Sequence, residues 1–133
     1  MREVFGDTLY YLAVINPRDV AHPRAITVSK DKDTRVITTC WALAELADGL
    51  SRLSTRASFA RLLNCLRNDP LTHIVSATQT LFERGVELYA SRLDKEWTLT
   101  DCISFVVMRE YGLTEALTGD RHFEQAGFKA LLL

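Results

Sequence analysis

The sequence predicts an α/β fold in which a largely parallel sheet lies between layers of helices. Short runs of apolar and β-branched residues, typical of buried strands, recur at Val4–Phe5, Thr34–Thr38, Thr72–Val75 and Leu113–Leu117. The segments between them carry apolar residues at helical spacing, and strands that alternate with helices favour right-handed crossovers and parallel neighbours. With 133 residues, 47% of them apolar, we expect a single domain spanning residues 1–133.

The first half of the chain contains helices with clear ends. The predicted helices are Thr8–Ile15, about Val20–Lys30, one that follows Thr39, and Arg56–Arg67. Asn16-Pro17 ends the first of them, and Thr39 is suited to cap the third. Asn68-Asp69-Pro70 ends the fourth before the next strand begins.

The second half repeats this alternation and ends in an apolar tail. The predicted helices are Ala77–Leu93, Cys102–Tyr111 and Arg121–Ala126. Thr98-Leu99-Thr100-Asp101 has the spacing of a capping box, and Gly112 is a natural helix stop. The pattern of the tail, Phe128–Leu133, does not by itself predict a strand.

Charge and cysteine content restrict the classes of function. The formal net charge of −1 gives no general signature of nucleic-acid binding, so any RNA affinity must be local. Cys40, Cys65 and Cys102 lack metal-site spacing and are predicted to be buried thiols, which indicates a reducing compartment. Neither a signal peptide nor an apolar run of membrane-spanning length is evident, so we expect a cytoplasmic protein with no membrane partner.

Four acidic residues are expected at the carboxyl edge of the predicted sheet. Asp7 and Asp120 follow strands, while Asp101 and Glu45 stand in early turns of helices that begin at the same edge. Carboxylates gathered in this way repel one another unless a cation lies between them. Hard oxygen ligands favour Mg²⁺ or Mn²⁺, either of which can activate water for phosphodiester cleavage.

The residues around these acids resemble PIN domains, the fold of VapC-type toxins. The resemblance is carried in order by Val4–Thr8, Ala44–Leu46, Leu99–Ser104, Leu117–Phe123 and Glu124–Phe128. The Thr-Gly-Asp-Arg-His-Phe segment is its most specific part. Together the segments extend over essentially the whole chain.

The resemblance implies a three-layer α/β/α domain with a central five-stranded, mainly parallel sheet. It also implies a Mg²⁺- or Mn²⁺-dependent endoribonuclease, frequent homodimers, and often a cognate antitoxin as in VapBC-type pairs. The acids that it assigns to catalysis and metal binding are Asp7, Glu45, Asp101 and Asp120. Residues expected to support the acids or contact a phosphate are Thr8, Ser104, Thr118 and Arg121.

Each acid also has a structural alternative. Asp7 can cap the helix that follows it, and Asp101 can serve the capping box. Glu45 can face solvent, and Asp120 can belong to a turn or cap.

The sequence does not decide the roles of three aromatic side chains, those of His122, Trp41 and Trp97. His122 is more readily explained by packing or hydrogen bonding near the site than by acid–base catalysis. Trp41 and Trp97 can stack on RNA bases, although their apolar neighbours favour packing in the core or at a dimer interface.

Two other functions compete with hydrolysis. A phosphoacceptor receiver domain also places Mg²⁺-binding acids at a sheet edge, but it needs adjacent acids after the first strand and a Lys after the last, and neither is present. A PIN-fold module that binds RNA or protein without turnover is the other alternative. The presence of all four acids disfavours it.

Overall fold

A computed structural model describes all 133 residues as five strands and seven helices. The strands are β1 (Arg2–Gly6), β2 (Thr34–Thr39), β3 (Thr72–Val75), β4 (Glu115–Leu117) and β5 (Lys129–Ala130). The helices are α1 (Thr8–Ile15), α2 (His22–Lys30), α3 (Cys40–Gly49), α4 (Arg56–Arg67), α5 (Gln79–Ser91), α6 (Leu99–Glu110) and α7 (Arg121–Gln125).

The strands form one sheet in the order β3-β2-β1-β4-β5, and every neighbouring pair is parallel. The predicted five-stranded parallel sheet is therefore confirmed. From β1 the chain builds outward through β2 to β3, and it then returns to add β4 on the other side of β1. Such a reversal leaves a crevice between β1 and β4 at the carboxyl edge.

Successive side chains of each strand point to opposite faces of the sheet and pack into two separate hydrophobic cores. Val4 and Val36 join the core under helices α1 to α4, whereas Phe5 and Ile37 join the core under α5 to α7. This division follows from the two-residue period of a strand. Both faces are covered by helices, which confirms the three-layer arrangement.

Several local predictions are confirmed by hydrogen bonds. The Thr39 side chain accepts the N–H of Ala42 at the start of α3. Both bonds of the capping box between Thr98 and Asp101 are present at the start of α6. Gly112 follows α6 with φ +66°. Glycine adopts this left-handed backbone conformation without strain because it has no Cβ atom.

Some predicted boundaries were wrong for identifiable reasons. Leu113 lies outside β4 because its N–H bonds to the Met108 carbonyl and completes the end of α6. The α2 helix begins at His22, since Val20 lies in the preceding loop with 98% of its surface exposed. Lys129 and Ala130 of the tail pair with β4, although two residues are too few to show a strand period.

The cysteine prediction holds for only part of the set. Cys102 is buried and Cys40 is half-buried, but Cys65 is exposed. The reason is that α4 lies at the periphery and none of its residues is fully buried. The longest helix, α5, has 13 residues, and no helix combines the length and apolar character of a membrane span.

Candidate active site

The predicted acids lie around the crevice where β1 and β4 end. Asp7 directly follows β1, and Asp120 lies three residues beyond the last residue of β4. Asp101 is in the first turn of α6, and Glu45 is in the second turn of α3. Four segments that are distant in sequence thus contribute to one edge of the sheet.

Asp7 is nearly inaccessible, with 4% of its surface exposed. It occupies the N-cap position of α1, yet its side chain makes no capping hydrogen bond. Its Oδ2 instead accepts the Thr118 hydroxyl at 2.7 Å. The capping role considered for Asp7 from the sequence is therefore wrong.

The environment of Asp7 opposes ionisation. Burial, with smaller contributions from the charges of Asp101 and Glu45, raises the pKa of its carboxyl to about 6 against the lowering effect of the Thr118 hydroxyl. These charge effects also show that both acids lie close enough to Asp7 to act on it.

Thr118 joins the two strand-end acids through a single hydroxyl. This residue is fully buried, and while its Oγ1 donates to Asp7 it also accepts the Asp120 N–H at 3.0 Å. The hydroxyl therefore fixes the Asp7 carboxylate and the backbone of the loop that carries Asp120. The supporting role of Thr118 stays a prediction, and its bonds to both acids are the reason to test it.

Asp101 and Asp120 each combine a helix cap with a place in the crevice. Asp101 is 7% exposed, and its Oδ2 accepts the Thr98 N–H at 3.2 Å within the capping box. Asp120 caps α7, since its Oδ1 accepts the His122 N–H at 2.8 Å. The structural alternatives for these two acids are thus real, and they coexist with convergence at one edge.

Glu45 is the outlying member of the cluster. Its side chain is exposed on α3, as the solvent-facing alternative expects, and no hydrogen bond within the chain holds it. Its charge nevertheless acts on Asp7. Glu45 therefore lies at the rim of the crevice, where it is free to move toward a ligand.

The remaining supporting residues differ in position. The Thr8 hydroxyl is buried and donates to the Ala42 carbonyl at 3.1 Å, which ties α1 to α3. Ser104 is fully buried, and its hydroxyl donates to the Thr100 carbonyl of its own helix. Arg121 is exposed and forms no ion pair within the chain.

His122 makes hydrogen bonds near the site, as the sequence led us to expect, but the sequence did not reveal its partners. Its Nδ1 lies 2.9 Å from Asp101 Oδ2 and 3.5 Å from Asp120 Oδ1. The hydrogen bond with Asp101 raises the pKa of the imidazole. Possible ligand atoms of Asp101, Asp120 and His122 all lie within 4.8 Å of one another, so a histidine accompanies the acids although no spacing in the sequence indicates it.

The two tryptophans pack in or against the hydrophobic core and do not form an exposed surface on which RNA bases could stack. Trp97 is 4% exposed, and its indole N–H donates to Gln125 at 3.0 Å. Trp41 is half-buried and packs against the core that includes α6. Stacking of Trp97 on an RNA base is excluded by this burial.

The carboxylates of the crevice have no cationic partner from Lys or Arg. Every Lys or Arg ion pair of the chain involves other acids, such as the pair of Arg2 with Glu115 and that of Arg92 with Asp94. His122 faces Asp101 and Asp120, but the buried carboxylate of Asp7 has no cationic neighbour and is costly to ionise. The oxygen-rich set of acids suits a hard divalent cation such as Mg²⁺ or Mn²⁺.

Comparison with known families gives the decisive match. The sequence matches the PIN domain over residues 5–129, a range that contains all four acids. The chain belongs to the PIN domain family. PIN domains are nucleases, so the crevice lies in a fold built for phosphodiester hydrolysis.

A mycobacterial PIN protein is similar over nearly the full length. The 23S rRNA-specific endonuclease VapC20 of Mycobacterium tuberculosis, found in two strains, is 29% identical over 126 residues, covering 94% of this chain and 95% of the relative. The crystal structure of VapC20, described as a sarcin-ricin loop cleaving toxin, superposes with a TM-score of 0.83 at 26% identity, with 94% and 95% of the chains covered.

Two more distant structures share the PIN fold. FitAcB from Neisseria gonorrhoeae has a TM-score of 0.65 at 20% identity and covers 96% of this chain and 94% of its own. VapBC2 from Rickettsia felis, bound to a DNA fragment from its promoter, has a TM-score of 0.68 at 13% identity and covers 96% of both chains. At these identities the likeness concerns the fold alone.

Proposed function

We propose that this PIN domain is a Mg²⁺- or Mn²⁺-dependent endoribonuclease. The observation that carries the proposal is the convergence of Asp7, Asp101, Asp120 and Glu45 on one crevice without a Lys or Arg to neutralise them. These four residues would hold the cation. When bound, a divalent cation supplies an activated water and offsets the charge that grows on the phosphate.

Other roles in the proposed reaction, positioning the acids and contacting the RNA, fall to individual residues around the crevice. The buried Asp7 and Asp101 define the floor of the crevice, and Thr118 holds Asp7 in position. Glu45 at the rim can approach a ligand without distorting the sheet. Arg121, exposed beside Asp120, is available to pair with a phosphate of the RNA.

The substrate proposed first is the sarcin-ricin loop of 23S rRNA. Support comes from VapC20, which is 29% identical to this chain over 126 residues and is a 23S rRNA-specific endonuclease. A structured target also agrees with the formal net charge of −1, because a protein without a general excess of cations must recognise shape and a few phosphates. We further propose that the enzyme acts in the cytoplasm, where ribosomes are.

A cleavage assay tests this proposal directly. The protein is incubated with a labelled sarcin-ricin RNA hairpin, with a hairpin of scrambled loop sequence, or with intact ribosomal RNA, in Mg²⁺, Mn²⁺ or EDTA. We expect a single cut in the native loop that needs the metal. Binding to the hairpin without cleavage in either metal would instead favour the binding-module alternative.

We also propose two protein partners, an antitoxin and a second copy of this chain. VapC20 is described as a toxin, and we therefore propose a cognate antitoxin that restrains this enzyme. We also propose a homodimer, supported by apolar side chains left exposed on α5 and just beyond it, with Phe82 at 36%, Tyr89 at 52% and Leu93 at 90% exposure. Light scattering on the purified chain gives its mass in solution.

Thr118→Val should lower kcat for the RNA by about 10- to 100-fold, because residues that orient metal ligands contribute about that much. The valine keeps the volume but removes both the bond to Asp7 and the acceptor of the Asp120 N–H. Thr118→Ser should restore most of the rate.

The control for this prediction is Thr27→Val, since the Thr27 hydroxyl bonds only to a backbone carbonyl of the exposed α2 helix. Circular dichroism checks that each variant is folded. Full activity of a folded Thr118→Val protein would show that the hydroxyl does not orient the acids.

A further inference from the structure

We propose that His122 is a positioning residue that braces Asp101 and Asp120, so that each carboxylate keeps one oxygen free for the cation. This inference rests on the proposed nuclease function. The His122 backbone N–H donates to Asp120 Oδ1 at 2.8 Å, and its ring Nδ1 bonds to Asp101 Oδ2 at 2.9 Å. One residue thereby holds the two acids that come from α6 and from the start of α7.

The bonding pattern fixes the direction of the ring bond. An ionised carboxylate only accepts hydrogen bonds, so His122 Nδ1 must carry the proton. Asp101 Oδ2 then accepts from both His122 and the Thr98 N–H. The other oxygen, Asp101 Oδ1, has no hydrogen-bond donor in the chain and is the oxygen left for a cation.

Asp120 shows the same division between its oxygens. Its Oδ1 accepts the His122 N–H and lies 3.5 Å from the ring Nδ1, whereas Oδ2 has no donor. A nitrogen that donates its proton to a carboxylate offers no lone pair to a metal at the same time. Through Nδ1, the ring nitrogen that faces both acids, His122 therefore supports the ligands and does not bind the metal.

The brace is needed because no other hydrogen bond joins the side chains of Asp101 and Asp120. Phe105 packs on Phe123 and Trp97 bonds to Gln125, but neither contact involves the two carboxylates. Asp101 lies on a buried helix start, whereas α7 has only five residues and follows a short loop. Repulsion between the two carboxylates would turn the Asp120 side chain outward. The Nδ1–H of His122 offsets this repulsion, and its backbone N–H sets the rotamer of Asp120.

Three substitutions separate this role from others. Asparagine places an amide N–H close to the position of His Nδ1, whereas glutamine places it close to Nε2, and alanine removes the side chain. We measure Mn²⁺ affinity by electron paramagnetic resonance, kcat and KM on the RNA hairpin, and folding by circular dichroism. His73→Ala is the control, since His73 bonds to Tyr111 at 3.2 Å outside the acidic cluster.

We expect His122→Ala and His122→Gln to weaken Mn²⁺ binding and lower kcat by about 10- to 100-fold with KM little changed, and His122→Asn to stay within about threefold of the wild type. Nitrogen-15 NMR of the wild-type, metal-free protein should show the His122 proton on Nδ1. His73→Ala should match the wild type.

Several results would overturn the proposal. One is an Asn variant as impaired as the Ala variant, and another is a proton found only on Nε2. Direct Mn²⁺–nitrogen coupling in the resonance spectrum would make His122 a ligand. If the wild type cleaves no RNA, the proposed function fails, while Mn²⁺ affinity and the NMR tautomer still decide the role of His122.

Discussion

Asp7→Asn is expected to abolish RNA cleavage and yet to stabilise the metal-free protein at neutral pH. The rate should fall by at least about 100-fold, because the variant loses an anionic oxygen of the proposed metal site. The gain in stability comes from burial, which raises the pKa of Asp7 from 3.8 to about 6. A neutral Asn can still accept the Thr118 hydroxyl without this penalty.

The sign follows from the two states of the carboxyl. Well below pH 3.8 Asp7 is protonated both in the folded protein and in the unfolded chain, so its charge has no effect on stability. Between pH 4 and 6 the unfolded chain ionises first, and the free energy of unfolding falls as pH rises. Above pH 6 the loss is complete, at about 3 kcal/mol for a shift of about two pKa units.

Urea unfolding of wild type and Asp7→Asn in EDTA checks this result at pH 4 and pH 8. The variant should exceed the wild type by up to about 3 kcal/mol at pH 8 and should be nearly equal to it at pH 4. Saturating Mn²⁺ should stabilise only the wild type, since a ligand stabilises the state that binds it. Asp33→Asn is the control, because Asp33 is exposed at the opposite end of the sheet, beside the start of β2. A less stable Asp7→Asn protein at pH 8 would mean that the Asp7 charge supports the fold.

Phe105→Ala should produce the largest loss of stability, about 3–5 kcal/mol, by leaving a cavity in the core under α5 to α7. Phe105 is fully buried on α6. Its ring meets Trp97 and Phe123 edge-on, each with centroids 5.0 Å apart, and it also contacts Phe128. Such a loss is a large part of the stability of an ordinary domain.

The same substitution should also affect the site. Trp97 precedes the start of α6, which carries Asp101, and Phe123 lies on α7 directly after His122. Loosening these contacts should inactivate the enzyme at temperatures well below its unfolding midpoint. Thermal unfolding and residual cleavage are measured together, with Leu53→Ala as the control because Leu53 is 97% exposed. Equal losses for the two variants would contradict this account of the core.

The sequence predicted those parts of the fold that depend on local patterns. Strand runs, helix stops such as Gly112 and the capping box of Thr98 with Asp101 are visible within a few residues, and the structure has them. No local pattern predicts the strand at Lys129–Ala130, because this segment becomes a strand only by pairing with β4. Family resemblance, and no residue pattern, led us to expect a fifth strand.

The acidic residues of the candidate site could be predicted from the sequence, but the hydrogen bonds that hold them in place could not. The side chain of Asp7 could have capped α1, and only its contact with Thr118, 111 residues away, shows that it does not. The brace by His122 depends equally on a long-range contact with Asp101. A histidine two residues after an acid at a strand end was the available signal, but that spacing alone does not say which neighbour the ring will meet.

The position of β4 has a consequence for the timing of synthesis. The central strand β1 is made early, but its partner β4 is translated more than a hundred residues later. A nascent chain interrupted before that point lacks Thr118 and Asp120 and leaves Asp7 without its hydroxyl donor. Incomplete products released in the cell would therefore be unable to cut RNA, so this fold confines hydrolysis to molecules that have been translated past β4.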